Sequence, residues 1–337
     1  DNSAFGQNAL YNNTSGDNNS AFGKNTLYNN TLGGQNSAFG INALYNNTVG
    51  DQNSAFGIYA LSGNTSGKEN TAVGNKALFR NTTGEDNSAL GVNALINNTT
   101  GINNIAVGGD AMFSNITGSN NTAIGFSSFA ASSSNMMNSS ALGFYTVITE
   151  NNQVQIGNSA VQSIGGFAAW TNLSDARFKS NIQENVIGLD FIKKLKPVTY
   201  KLNQKALESF QEKHTGHRDT SFWETKYDHS KITQSGFLAQ DVEAAAQSLG
   251  YDFNGVDAPT NEESHYGLRY SLFTVPLVKA VQELSQLVDT LEAALKTKDD
   301  QFSNLELELQ KYINTQSAEM KIMRDEIKAL KEERDER

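Results

Sequence analysis

The sequence has no cysteine, so neither a disulfide framework nor a zinc–thiolate site is open to it. It has no excess of positive charge. Its 26 Lys and Arg stand against 36 Asp and Glu, a formal net charge of −10. Nucleic acid is therefore not the expected main partner, because phosphate binding needs clustered cations. No run approaches the roughly 20 apolar residues that cross a bilayer, so membrane insertion is not expected either. No signal peptide is recognisable. The chain opens on Asp1-Asn2-Ser3-Ala4-Phe5-Gly6, already inside a repeated phrase, and is expected to be a fragment with any targeting signal upstream. Hydrophobic content of 38% and charged content of 18% are both low for one compact core. They suggest a repetitive, turn-rich part joined to a more ordinary one, in a chain long enough for two or three domains. No cofactor and no metal is implied.

What the sequence does have is a period of 17 residues. A small-Ala-apolar-Gly phrase recurs at Ser3–Gly6, Ser20–Gly23, Ser37–Gly40, Ser54–Gly57, Thr71–Gly74, Ser88–Gly91, Ile105–Gly108 and Thr122–Gly125. The copy at Ser140–Gly143 follows after 18, so the register breaks near Ser132–Ser139. A large apolar residue recurs at Phe5, Phe22, Phe39, Phe56, Val73, Leu90, Val107, Ile124 and Leu142, and a second at Leu10, Leu27, Leu44, Leu61, Leu78, Leu95, Met112 and Phe129. Between copies lies a turn block, Asn13-Thr14-Ser15-Gly16 and its equivalents.

Gly and Asn in every period, and apolar positions without a 3.6-residue spacing, exclude helix. Two short strands per period, separated by Gly- and Asn-bearing turns, predict one coil of a parallel β-solenoid. Gly16 is expected at positive φ, which is cheap for glycine. The Asn13 series is expected to stack into a hydrogen-bonded ladder. One coil buries too little apolar surface to stand alone, whereas a stack of them does not. Tyr11, Tyr28 and Tyr45 near the Asn ladders either bind glycans or pack between neighbouring coils or chains. The many Asn-x-Thr triplets match glycosylation acceptors, but they recur because the turn recurs.

The Asn-Ser-Ala-Phe-Gly phrase resembles the head repeats of trimeric autotransporter adhesins and the shafts of some tail fibres, whose repeats are shorter. That resemblance implies a left-handed β-roll in a parallel homotrimer.

Composition changes after about Thr171. Residues 1–172 hold four of the 26 Lys and Arg and none of the four His. Val154–Asn158 and Ser163–Phe167 read as short closing strands before Trp170. Then come Leu173-Ser174-Asp175-Ala176-Arg177-Phe178-Lys179, Gly188-Leu189-Asp190-Phe191 running on to Pro197-Val198-Thr199-Tyr200, Gly236–Glu243, Leu268-Arg269-Tyr270 and Lys279–Leu284. In this order the phrases resemble the endosialidase-type intramolecular chaperone family, which ends phage tailspikes and tail fibres. A version of it occurs in a membrane-tethered transcription factor. The resemblance runs from about Trp170 to Leu284. It implies a domain that trimerises, helps a β-shaft fold in register and then cuts itself free. Carried over residue by residue, the scissile bond is Leu173–Ser174, Ser174 is the nucleophile and Lys179 its base; Asp175 and Arg177 match the motif.

The chemistry is reasonable. A Ser hydroxyl needs a base to become a nucleophile, and Lys serves when burial or a neighbouring cation such as Arg177 lowers its pKa. Residues five apart face different sides of a helix or strand, so a turn or a neighbouring chain must bring Lys179 to Ser174. The alternative for Ser174 is the cap of a helix beginning at Asp175. His214-Thr215-Gly216-His217 has no cysteine or carboxylate pattern beside it and reads as a solvated loop.

From Leu277 the seam positions Val281, Leu284, Val288, Leu291, Leu295, Lys298, Phe302, Leu305 and Leu309, apolar except for Lys298, alternate four and three. After a stutter they resume at Ile313, Met320, Met323, Ile327 and Leu330. This predicts an oligomeric coiled coil, a trimer by family resemblance.

The expected architecture is therefore a mainly β shaft at 1–150, closing strands and a cleavage linker at 151–173, an α+β chaperone and autoprotease at 174–274 and a coiled-coil helix at 275–337. The expected function is a homotrimeric tail fibre or surface adhesin, in a phage virion, a tail-like particle or on a bacterial surface, with a host receptor or glycan as possible partner. The alternative is a polysaccharide-degrading tailspike whose catalytic domain lies upstream. Only eight Asp or Glu occur in residues 1–172, mostly in turns, a poor supply for the paired carboxylates of glycoside hydrolysis. A membrane-tethered transcription factor would need a basic domain and a span, and this sequence has neither.

Overall fold

The computed structural model describes the whole chain apart from residues 132–134, 162, 204, 208, 211–230, 263 and 336–337. The described residues form two compact units. The first comprises Asp1–Ala176, Pro197–Gly236 and Ala258–Tyr266; the second comprises Arg177–Lys196, Phe237–Asp257 and Gly267–Arg337.

The first unit is dominated by a parallel β-solenoid. Three-residue strands recur as β1 (Ser3–Phe5), β2 (Ser20–Phe22), β3 (Ser37–Phe39), β4 (Ser54–Phe56), β5 (Thr71–Val73), β6 (Ser88–Leu90), β7 (Ile105–Val107) and β8 (Thr122–Ile124). After β9 (Ala130–Ala131) come β10 (Ser140–Leu142), β11 (Val147–Ile148) and β12 (Val154–Ile156). Strands β1 to β8, β10 and β12 make one parallel sheet in chain order, with Ala4 opposite Ala21 and Ala21 opposite Ala38.

The second strand expected in each coil is not formed. Among the described residues only β9 and β11 pair in that position. Elsewhere Leu10, Leu27, Leu44 and Leu61 lie in the left-handed region, with φ of +53°, +52°, +49° and +52°. The reason is in the sequence: Ala43 and Leu44 are neighbours and both are fully buried. A strand points neighbours to opposite faces, so a sharp turn is needed to bury both. Coil-to-coil bonds survive, Leu27 N–H donating to the Ala43 carbonyl at 3.0 Å and Asn29 N–H to Tyr45 at 3.0 Å. A left-handed L-residue costs about 1–2 kcal/mol, and full burial of a Leu side chain gains about 1.5–3 kcal/mol. The two nearly cancel, so a single coil gains little alone.

The interior holds Ala21, Ala38, Ala55, Ala72 and their equivalents with the Leu series. The Phe5 series faces outward. Two Asn ladders complete the core. The expected one is present: Asn47 Nδ2 donates to Asn30 Oδ1 at 2.7 Å and Asn64 Nδ2 to Asn47 Oδ1 at 2.8 Å. Each of these Asn also closes its own turn, as Asn47 does on the Gly50 carbonyl at 2.9 Å. The other ladder, which the repeat reading missed, runs through Asn19, Asn36, Asn53 and Asn70. Asn36 N–H donates to Asn19 Oδ1 at 3.0 Å and its Nδ2 to the Gly50 carbonyl at 2.8 Å. The first ladder stops at Asn115, whose buried Oδ1 has no partner among the described residues. The next position in register is Ser132, outside them.

The expectation for Gly16 is not met. Positive φ falls on the Gly6 series instead, at +131° to +148° from Gly6 to Gly125. Gly16 is needed for space: a Cβ there would strike the Gly33 carbonyl and lie 2.7 Å from Asn13 Oδ1. Of the expected closing strands, Val154–Ile156 pairs with β10, but Ser163–Phe167 forms no strand. No coil follows to pair with it. The unit is completed by β13 (Val198–Tyr200) and β14 (Gln234–Gly236), an antiparallel pair, and by residues 258–266.

In the second unit, α1 (Leu189–Lys194), α2 (Ala239–Gln247) and the antiparallel β15 (Val256–Asp257) and β16 (Gly267–Leu268) surround a core of Phe191, Val242, Ala245, Ala246 and Phe273. A single helix, α3 (Thr274–Asp335), follows; its 62 residues span about 93 Å at 1.5 Å each. Pro276 lies in its first turn, where a missing N–H costs nothing.

Candidate functional site

Leu173 and Ser174 are exposed and Asp175 is half-buried. A single 3₁₀ turn, Ala176–Phe178, follows, and Lys179 comes directly after it, exposed. Within the turn, the Arg177 guanidinium lies 5.6 Å from the centroid of the Phe178 ring, a cation–π distance. Ser174 and Asp175 group with the first unit, Arg177 and Lys179 with the second. The helix expected to begin at Asp175 with Ser174 as its cap is only this one turn, and it begins one residue later than that reading needs. His214 and His217 lie outside the described residues.

The other phrases of the second unit build a scaffold. At Gly188 the chain passes so close to α3 that a Cβ would sit 2.7 Å from Ala280 N. No side chain of α1 caps its own start. Glu283 of α3 does so instead, accepting the Leu189 N–H at 2.7 Å on Oε2, a carboxylate where the helix dipole favours one. Phe191 of α1 then packs on Tyr251 and Phe253. Arg269 is anchored on the Asn254 carbonyl at 2.9 Å and on the Asp257 carboxylate. The Tyr270 hydroxyl accepts the Phe237 N–H at 3.1 Å, which holds the entry to α2. Sequence reasoning placed these phrases in order but did not assign Glu283 and Tyr270 these tasks.

The Phe5 series forms an apolar ladder on the outside of the solenoid. Phe22, Phe39 and Phe56 are 37–40% exposed. Phe22 and Phe39 stack at 4.8 Å between ring centroids, Phe39 and Phe56 at 4.9 Å. Tyr11 and Tyr28 also stack, at 5.2 Å, and Tyr28 on Tyr45 at 5.3 Å. Each ring face between coils is covered by the next ring, the arrangement of packing between coils. Glycan stacking uses ring faces, and along this ladder mainly edges remain. At the last coils Asn261 Nδ2 donates to the Thr149 carbonyl at 3.2 Å. A cavity of about 180 Å³ is lined there by Gln153, Gln155, Asn158, Leu207, Phe210 and His265.

Among the described residues, no group of three or more His, Asp or Glu is placed to hold a metal ion, and no helix is long and apolar enough to cross a membrane. No curated protein matches the chain. Residues 174–251 match the family model described as chaperone of endosialidase, and with the stacked coils before them they bear out the resemblance read from the phrases at Ser174, Gly188 and Gly236: a chaperone-of-endosialidase domain follows a parallel β-solenoid shaft.

Proposed function

We propose that this chain is the C-terminal part of a homotrimeric tail fibre, in which the domain from Ser174 onward assembles three chains, guides the shaft into register and then severs the Leu173–Ser174 bond. The observation that carries this reading is the start of the chaperone-of-endosialidase match at Ser174, a short stretch after the last coil of the solenoid. Two surfaces support the trimer. The α3 seam, from Val281 to Leu330, is 45–65% exposed along its apolar positions in one chain. The shaft has an outer ladder of Phe, Val, Leu and Ile, along which parallel copies of the shaft would meet.

The shaft has a physical need for assistance. Its strands are three residues long, its ladder contacts join residues 17 apart and its Leu series is left-handed. Its buried Asn groups bond their own turns but complete their ladders only when a neighbouring coil is already in place. Nucleation is therefore uphill, and three chains held together at one end would meet it in register.

In the cleavage step Ser174 Oγ attacks the Leu173 carbonyl carbon while Lys179 takes the hydroxyl proton. The C–N bond breaks, the proton passes to the leaving Ser174 amine, and the resulting ester is hydrolysed by water. A lysine base needs desolvation. Lys179 is exposed in the single chain, so the assembled trimer is where that desolvation would arise. Cleavage would thus wait for assembly. Losing the chaperone then removes the route by which three chains unfold together, giving the shaft kinetic stability. The shaft stays in the particle as a fibre and presents its surface to a host receptor or glycan.

The test is expression of the wild type beside Ser174→Ala and Lys179→Ala, followed by denaturing gels and intact mass. The wild type should yield a fragment ending at Leu173, and both variants should remain whole. An uncut wild type, or cutting unaffected by either change, removes the protease assignment.

A further inference from the structure

The stretch between the last coil and Ser174 carries Ile164, Phe167, Trp170 and Leu173. Their exposures are 59, 115, 87 and 79%. The spacing is three throughout, neither the two of a strand nor the 3.6 of a helix. It is the spacing at which side chains recur on one side of an extended chain with three residues per turn. Between them stand only Gly165, Gly166, Ala168, Ala169, Thr171 and Asn172, all small or polar. The segment forms neither helix nor strand and bends at Phe167–Ala168 in the single chain, and nothing lies within 4 Å of where a Cβ on Gly165 or Gly166 would sit. The four side chains leave on the order of 600 Å² of apolar surface in water per chain, more than most soluble surfaces tolerate in one patch. It falls short of the about 800 Å² per partner of a self-standing interface. A stripe of this size extends a longer contact.

We propose that residues 164–173 form an end plug for the shaft, in which the apolar stripes of three parallel copies of this chain pack around a common axis. This rests on the homotrimer reading above. The occupant follows from what covers the stripe and what stays. Within one chain no described residue covers it. Residues from Ser174 onward depart after the proposed cut, while 164–173 remain as the last residues of the shaft. Identical stripes meeting around an axis cover each other without any partner of different sequence. The plug also ties the three ends together at the point where the solenoid has no further coil to pair with.

The chain is well suited to a direct test, because Trp170 and Trp223 are its only tryptophans and it has no cysteine. In the full-length Trp223→Phe variant, Trp170 reports alone, cut or uncut. Mass by light scattering fixes the oligomeric state of the same sample. In a trimer, Trp170 emission should be blue-shifted, and acrylamide quenching should fall several-fold below that of the denatured chain, before and after cleavage. A solvent-like spectrum in a chain shown to be trimeric overturns the plug alone. Protection present before the cut and lost after it assigns the cover to the chaperone and also overturns the plug. A monomer overturns the homotrimer reading, and the plug with it. As an independent check, oxidised Phe167→Cys should form inter-chain disulfides several-fold more readily than Thr171→Cys off the stripe; equal yields would overturn the proposal.

Discussion

The interior of the solenoid and the surface of α3 are built from similar residues with opposite outcomes. In a shaft coil, Ala55, Leu61, Asn53 and Asn64 are fully enclosed by neighbouring coils of the same chain. Along α3, Leu284, Leu291, Leu305 and Ile327 are 48–62% exposed. The shaft can thus finish its own core but cannot easily begin it. The helix forms more readily, since its contacts are local, but alone it leaves its apolar seam in water. In the proposed homotrimer this division of labour would order assembly: the easy element would gather the chains, and the difficult one would follow.

The sharpest way to break that ordering is to delete residues 288–337. The expected outcome is loss of the trimer in sedimentation, with the shaft recovered as aggregate or unfolded chain. A soluble, protease-resistant shaft from the deleted chain would show that it starts by itself. Next comes Gly57→Ala. With φ of +148° and the Gly74 backbone against any added Cβ, the shaft should lose about 3 kcal/mol, read as a drop in Tm, while the helix signal in circular dichroism is kept. Asn64→Ala removes the donor to Asn47 Oδ1 and to the Gly67 carbonyl, and should cost about 1–3 kcal/mol by denaturant titration of the shaft.

The smallest effect is electrostatic. Glu69 stands one coil from Asp86; the hydrogen bond and repulsion between the two carboxyls push the Glu69 carboxyl above the usual range. A raised carboxyl pKa favours the folded state at acid pH, and that contribution is lost as pH rises through the folded value. Glu69→Gln should therefore raise shaft Tm slightly at pH 7 and leave it unchanged at pH 3. Gln35 and Gln52 already occupy the equivalent position. A larger gain at pH 3 than at pH 7 would contradict the assignment.

The same contrast explains what the sequence made legible. A 17-residue period states which residues stack, and the Asn13 ladder follows from it. It does not state which side of a three-residue strand faces in. One signal was present: Ala is unchanged at Ala4, Ala21, Ala38 and every later copy, whereas its neighbour varies among Phe, Val, Leu and Ile. A position squeezed between stacked coils admits one volume, and an outward one admits several. The left-handed Leu series could likewise have been read from adjacent buried apolars, Ala43-Leu44 and Ala60-Leu61. The false strand at Ser163–Phe167 had suitable residues but no coil beyond it, a condition that no local pattern reports. In the C-terminal part the phrases announced a family and a heptad seam. The bond from Glu283 to the start of α1 joins residues 94 apart and left no trace in either phrase.

Because nearly every ladder contact in the shaft joins a residue to its equivalent 17 positions away, the shaft behaves as a ruler with fixed graduations. Removing or duplicating one whole period leaves each remaining residue with an equivalent neighbour and changes reach by one strand spacing, about 4.8 Å. A change of any other length must be absorbed in an irregular coil, as the 18-residue step before Ser140 is. Shaft length in such a molecule is a digital quantity, adjustable by counting and without redesign of the ends.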